Sequence, residues 1–265
     1  MFMHYWVFRW TVYALFVFLI APIAVVVVAS FNDSPLLIFP PENWSMRWYR
    51  EMASSPRWLT AAWTSFQIAL WSTVASLTLG TMAAIAVAWR KPWPGNAAYS
   101  NFVMLPLAFP FTATAVALLF TLRGYGMLGS FRGFFLAHVL ITLPYTFRAV
   151  LGTLRSLDPT YGEAALMHGA TPRRAFWRIT IPLLRPGIAA GFIFAFLLSF
   201  DEVAVGLLIV GPFITTLPVE MFNQVVESAD PTVAAVSTIQ IVVVASLLIV
   251  SQRIFGLKVF TETHG

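Results

Sequence analysis

Cysteine is absent from all 265 residues, so disulfides and thiolate metal sites are excluded. Charge is scarce as well. Only 10% of residues are Asp, Glu, Lys or Arg, against about 25% in soluble domains, while 59% are hydrophobic. No polar stretch is long enough to bury a core of its own, so composition reads as one integral membrane domain over 1–265. The four histidines, His4, His138, His168 and His264, are isolated and show no ligand spacing, so no metal site is expected. A phosphate-binding loop of the form GxxxxGK[ST] is missing too, so nothing suggests that this chain hydrolyses ATP.

What remains is dominated by long apolar runs. A helix needs about 20 apolar residues to cross the hydrocarbon core. Six segments qualify: 7–30, 61–89, 102–122, 134–154, 187–210 and 233–255. The first is longer than a signal-peptide core and reads as a retained helix. Pro106 and Pro110 interrupt the third segment and Pro144 the fourth. The predicted fold class is all-α, polytopic, with about six transmembrane helices.

Lys and Arg orient the spans. One set of connections carries Arg90, Lys91, Arg155, Arg173, Arg174, Arg178 and Arg185, with Arg253 and Lys258 in the tail. The opposite set carries Arg47, Arg50, Arg57, Arg123 and Arg132 beside six acids, Asp33, Glu42, Glu51, Glu220, Glu227 and Asp230. The richer set should be cytoplasmic, which places both termini in the cytoplasm and two loops, 31–60 and 211–232, outside. Trp44, Trp48, Trp58, Trp63, Trp89 and Trp93 fall mostly near span boundaries, as interfacial aromatics do. Trp44 and Trp48 could instead meet an external protein.

Small residues recur every fourth position in two spans: Ser72, Ser76, Gly80, Ala84 and Ala88, then Gly187, Gly191, Ala195 and Ser199. Such ladders let helix backbones approach closely in lipid. They serve packing within the chain or a contact with a second membrane subunit.

Asp201 and Glu202 lie inside the fifth apolar segment, where an acid costs about 2.5–3.5 kcal/mol on the insertion scale. Asp201 is a candidate for lining a solute path and attracting a cation. Glu202 falls on the small-residue ladder and either shares that role or makes an interhelical bond. Structural pairing of both is the alternative.

The connection between spans four and five, EAALMHGATPRRAFWRITIP over 163–182, has clear punctuation. Asp158-Pro159 starts one short helix, which runs to about His168. Gly169 ends it, Thr171-Pro172 starts a second that reaches about Ile181, and Pro182 and Pro186 stop that one. The pattern predicts a rigid helix–turn–helix protrusion. It suits either docking to a partner or lying on anionic lipid headgroups. Both ends are tied to spans, which argues against a DNA reader, and no nucleic acid partner is expected.

The run Glu163-Ala164-Ala165, then Gly169-Ala170, Ile179 and Ile181-Pro182, resembles the EAA loop of bacterial ABC-importer permeases; leucine is usual where Ile181 stands. Ser30-Phe31-Asn32-Asp33, Trp48-Tyr49, the stretch 80–90, Ser199-Phe200-Asp201-Glu202, Gly211-Pro212, Thr216-Leu217-Pro218 and the segment from Asp230-Pro231 extend the resemblance to the spermidine/putrescine branch, second permease subunit.

The resemblance implies an inner-membrane permease subunit, not an enzyme, forming half of the solute pathway. Its implied partners are a second permease subunit in a heterodimer, two copies of a cytoplasmic ATPase that holds the ATP and Mg, a periplasmic solute-binding protein and membrane lipid. Glu163 would fix the coupling helix by a polar contact and Gly169 would make its turn. Ala164, Ala165 and Ala170 would allow close docking, with Pro182 closing the motif. Polyamines are the implied solute. An aminophosphonate, an opine or ferric iron is the alternative cargo, and an intramembrane enzyme built on Asp201 and Glu202 the alternative class.

Overall fold

The computed structural model describes residues 2–36, 38–88, 94–158, 160–228 and 231–255. Trp89, Arg90, Lys91, Trp93, Pro159, Asp230, Lys258 and His264 lie outside them, as does the side chain of His4. Helices run in the order α1 Phe2–Ala29, α2 Arg47–Ser54, α3 Pro56–Ala88, α4 Asn96–Met104, α5 Phe111–Gly124, α6 Phe131–Ser156, α7 Thr160–Met167, α8 Pro172–Ala175, α9 Ile181–Leu183, α10 Arg185–Phe200, α11 Ala204–Ile209, α12 Leu217–Glu227 and α13 Thr232–Phe255. Among the described residues, four of them are long and apolar enough to cross a membrane, or up to six if each of two bent pairs counts as one span.

The third segment bends where its prolines fall, and the fifth corrects an expected continuous span. The third segment is a pair, Asn96–Ala108 and Phe111–Gly124, bent by 98°. Pro106 sits in a 3₁₀ turn over Leu105–Ala108, and Phe109, which precedes Pro110, is extended at φ −102°, ψ 143°. Proline forbids its predecessor the helical region, so the chain must turn there. The fifth segment is not one helix over 187–210 either. It ends at Phe200 and restarts at Ala204 as α11. Pro144, by contrast, does not break α6, which runs unbroken for 26 residues.

Contacts divide the chain into two units, Met1–Thr60 with Glu220–Ala245, and Ala61–Val219 with Ser246–Gly265. In the first unit a small knot holds the connection after α1. Buried Asn32 accepts from the Trp48 indole through its carbonyl at 2.7 Å, donates to the Ile38 carbonyl at 3.2 Å, and accepts from the Ser34 N–H. Ser30 and Tyr49 hydroxyls meet at 2.6 Å. The Ser-Phe-Asn-Asp stretch and Trp48-Tyr49 are thus two halves of one turn. Trp48 is buried and unavailable to an external partner, whereas Trp44 is exposed. In the same unit Arg57 pairs with buried Glu220, donates to Gln224 at 3.1 Å and lies 3.7 Å from Glu227. Those three residues recur along one face of α12.

The second unit is built around α6. Near one end of that helix, Phe134, Ala137 and Ile141 join Ile68 of α3, Leu118 of α5 and Val205 and Ile209 of α11. Near the other, Phe147, Val150 and Leu151 join Ala83, Ala84 and Val87 of α3, Val103 of α4 and Leu184. Between the two apolar cores lies a buried polar band: Ser72, Thr73, Ser76, His138, Thr142, Thr146 and Ser199.

The small-residue ladders pack against α6 within this chain. Thr146 donates to the Ser76 carbonyl at 2.8 Å. A Cβ on Gly80 would collide with the Thr146 hydroxyl and stand 2.8 Å from the Phe147 nitrogen, and one on Gly187 would stand 2.7 Å from Thr153 Cβ. Both distances are below contact, so glycine is required at these crossings. Overpacking a tight site costs about 1–3 kcal/mol. Gly80→Ala is therefore expected to lower the unfolding midpoint in detergent, while Gly152→Ala, whose added carbon meets nothing within 4 Å, leaves it unchanged or slightly raised.

Candidate coupling hairpin and solute path

After α6 the chain makes the hairpin from side-chain caps. The Asp158 carboxylate accepts from the Thr160 N–H at 2.9 Å and starts α7. That bond holds its carboxyl below the usual aspartate range. Glu163 stands in the first turn of α7, where the helix dipole favours an acid.

The end of α7 is a Schellman turn. Ala170 N–H donates to the Ala165 carbonyl and Gly169 N–H to the Leu166 carbonyl, both at 3.0 Å. Gly169 takes φ +80°, and no atom lies within 4 Å of where its Cβ would be. The glycine is there for its backbone angle, not for space. Thr171 then accepts from the Arg174 N–H at 3.3 Å and opens the second helix, as the Thr-Pro pair predicts.

That second helix corrects the expected stop at Pro182. It continues to Leu183 through a π turn over Phe176–Thr180, with Ile181 N–H bonded to the Phe176 carbonyl. A proline in an α-helix presses its ring on the carbonyl four residues back, here that of Arg178. Widening the preceding turn relieves that pressure. Pro182 is thereby accommodated, and the bend comes later, at 57° between Pro172–Leu183 and Arg185–Phe200. Leu184, fully buried in the lower core of α6, anchors it.

The hairpin and the end of α6, with Val87, Ala88 and Asn96, line an open cavity of about 690 Å³. Leu154, Leu157, Ala175 and Ile179 form apolar wall, and Arg155 and Glu163 supply charge. Glu163 is exposed, and it makes no hydrogen bond or ion pair among the described residues. Ala164 and Gly169 are exposed, Ala165, Ala170 and Pro182 half-buried.

The two acids of the fifth segment separate. Asp201 is exposed and ends α10, its N–H bonded to the Leu197 carbonyl at 3.1 Å. Glu202 is buried, and its carboxylate accepts from the Val205 N–H at 2.9 Å, capping α11. The helix break at 201–203 removes Glu202 from the small-residue ladder. Its role is visible as a cap.

Sequence reasoning missed a buried chain of polar groups. His138 Nδ1 lies 2.7 Å from Ser199 Oγ, and Ser199 Oγ lies 3.1 Å from Ser72 Oγ, which also reaches the Ala69 carbonyl. A run from imidazole N–H through both hydroxyls to that carbonyl uses each proton once. His138 Nε2 is buried without a partner among the described residues. The signal was present: both ladders contain a serine, and a histidine inside an apolar span needs a partner. Arg148, exposed on α6, was also passed over.

A family profile described as "Binding-protein-dependent transport system inner membrane component" matches residues 76–260. The chain belongs to that family. It is an ABC-importer permease subunit and a multi-pass membrane protein, not an enzyme. Among curated relatives, the permease is 33% identical over 230 residues to the putrescine transport system permease protein PotI of Escherichia coli K12, covering 84% of this chain and 82% of that one. It is 31% identical over 248 residues to the spermidine/putrescine transport system permease protein PotC of Haemophilus influenzae, covering 93% and 94%. Among solved structures, a bacterial alginate ABC transporter in complex with an alginate-bound periplasmic protein matches with a TM-score of 0.74 at 16% identity, covering 95% of the permease and 93% of that chain. That likeness concerns the fold alone.

The Schellman turn gives a direct test. A β-branched residue at positive φ costs about 1–3 kcal/mol, whereas asparagine tolerates that region. Gly169→Val should speed amide hydrogen exchange at Gly169-neighbour Ala170 and through the end of α7, with the apolar cores unaffected. Gly169→Asn should leave the exchange pattern close to that of the unaltered protein.

Proposed function

We propose that this permease forms half of the pathway of a polyamine importer and that its hairpin receives the stroke of a cytoplasmic ATPase. The observation that carries the solute class is that relatives named for putrescine and spermidine/putrescine match over most of their own length, 82% and 94%. The chemistry of the fifth span supports it. Asp201 caps the C-terminal end of a 16-residue helix, where the macrodipole already carries partial negative charge. A carboxylate placed there attracts a cation more strongly than one placed at random, so Asp201 is assigned to the solute path. Glu202 backs it by holding the break open as the α11 cap.

In this reading the chain acts as one transmembrane domain, 1–265, with both termini in the cytoplasm. It pairs with a second, related permease subunit. Two ATPase subunits carry ATP and Mg, and a periplasmic binding protein delivers the solute. Glu163, Ala164, Ala165, Gly169, Ala170 and Pro182 serve coupling. Glu163 is the polar contact for the ATPase, since its carboxylate has no hydrogen bond or ion pair among the described residues. The two half-exposed or exposed alanines of α7 keep that surface slim, and Gly169 fixes the angle at which it is presented. Motion of α7 passes through the stiff second helix to Leu184 and so to α10.

The test uses the binding protein that works with this permease. Calorimetric titration should show putrescine or spermidine binding, and proteoliposomes of the complete assembly should take the same compound up. Asp201→Asn should lower that uptake by about tenfold, the loss of roughly one charge-assisted contact of 1.4 kcal/mol, with ATPase association unchanged. A binding protein that takes an anionic solute and no polyamine overturns the solute class.

A further inference from the structure

The second helix of the hairpin has two unlike faces. Pro172, Ala175, Ile179 and Leu183 line the cavity described above. Arg173, Arg174, Trp177 and Arg178 are all exposed, Trp177 at 58% of its surface. They stand at spacings of one, four and five residues, so they share one flank.

No carboxylate among the described residues accounts for that flank. None of the three arginines has a carboxylate partner among the described residues. Arg173 and Arg174 also occupy the first turn of a helix, and Arg185 the first position of α10. Helix starts already carry positive partial charge, so intrachain electrostatics disfavours cations there. An outside anion would make the placement more favourable.

The depth of the flank selects the anion. Arg178 is seven residues before the first residue of α10, about 10 Å of helix; the two helices form one bent candidate span, and its long apolar run begins only at Gly187. A segment so close to the start of a span sits at headgroup level. An exposed indole set among guanidinium groups is the interfacial pattern: the ring lies at the acyl boundary, and the cations meet phosphate. Phe176, edge-on to Trp177 at 5.2 Å between centroids, holds the ring against its own helix.

We propose that Arg173, Arg174, Trp177 and Arg178 bind anionic phospholipid of the cytoplasmic leaflet, so that the hairpin is seated on the membrane on one face while its α7 tip stays free for the ATPase. This rests on the cytoplasmic placement of the hairpin proposed above. The seat has a mechanical consequence: lipid charge sets how firmly the second helix resists being pushed, and so how much of a stroke reaches α10.

The experiment compares the unaltered assembly, permease with its partner subunits and ATPases, with an assembly carrying Arg173→Gln, Arg174→Gln and Arg178→Gln together. All three side chains are exposed, so the variant should fold. Both are released from equal mixtures of phosphatidylglycerol and phosphatidylcholine and weighed intact by native mass spectrometry. The unaltered assembly is expected to retain phosphatidylglycerol preferentially, with the preference weakening as salt rises. The variant should lose that preference at least about fivefold, with its ATPase subunits still bound. Equal retention by variant and unaltered protein overturns the proposal. So does loss of the ATPase in every lipid mixture, which would assign the flank to an acidic protein surface. Because the chain has no cysteine, Met167→Cys, 88% exposed in α7, reports sidedness separately. Labelling from the cytoplasmic side is expected; labelling from the outside alone would remove the orientation, whatever the lipid counts.

Discussion

How closely α3 and α10 approach α6 controls everything built on residues 61–219. In hydrocarbon no hydrophobic effect drives helices together, because lipid tails are as apolar as leucine. Dispersion between backbones must do it, and dispersion falls steeply with separation. Gly80 and Gly187 bring two helices onto Thr146 and Thr153 at distances where a single methyl group would collide. The hydroxyls in the band between contribute little strength: an interhelical bond in a membrane averages about 0.6 kcal/mol. What they supply is register, since a slip by one turn would leave Thr146 without the Ser76 carbonyl and His138 without Ser199.

On the proposed coupling, a rigid post of this kind gives the hairpin something to push on. Its second helix ends in Leu184, which is part of the same core as Phe147 and Val150 of α6. The bend that follows turns the helix by 57° into α10, which Gly187 packs closely against α6. The π turn matters here for a different reason. It takes up the strain of Pro182 without unwinding, so the element between α7 and the core stays helical and stiff. A slack connection would absorb displacement; a helical one passes it on.

Much of this is legible in residue order. The Asp158 and Thr171 caps, the left-handed Gly169, the bent third segment and the intimate packing of both ladders all follow from local rules, because each depends on a side chain and backbone a few residues away. Three features are not local. Pro144 looks like a breaker, yet it lies within an α6 that is packed on several sides and stays continuous. Pro182 looks like a stop, yet a widened turn five residues earlier admits it. Glu202 looks like a partner of Asp201, yet the helix ends between Phe200 and Ala204 and the two acids turn to different tasks. The His138 chain is the clearest case: its members are 61 and 127 positions apart in sequence, and only the fold makes them neighbours.

The separation of those two acids explains why a membrane span keeps both. A carboxylate that faces a path must be exposed to attract a cation, but an exposed break in a helix leaves backbone N–H groups without acceptors, at a cost of roughly 1–3 kcal/mol for each one buried. Glu202 accepts one of them, from Val205, and is itself buried in doing so. Asp201 then stands exposed at the C-terminal end of α10. One acid makes the break tolerable; the other, on the proposed solute path, uses it. On this argument the pair is a single device, and the chemically silent member is the one that allows the other to be where it is.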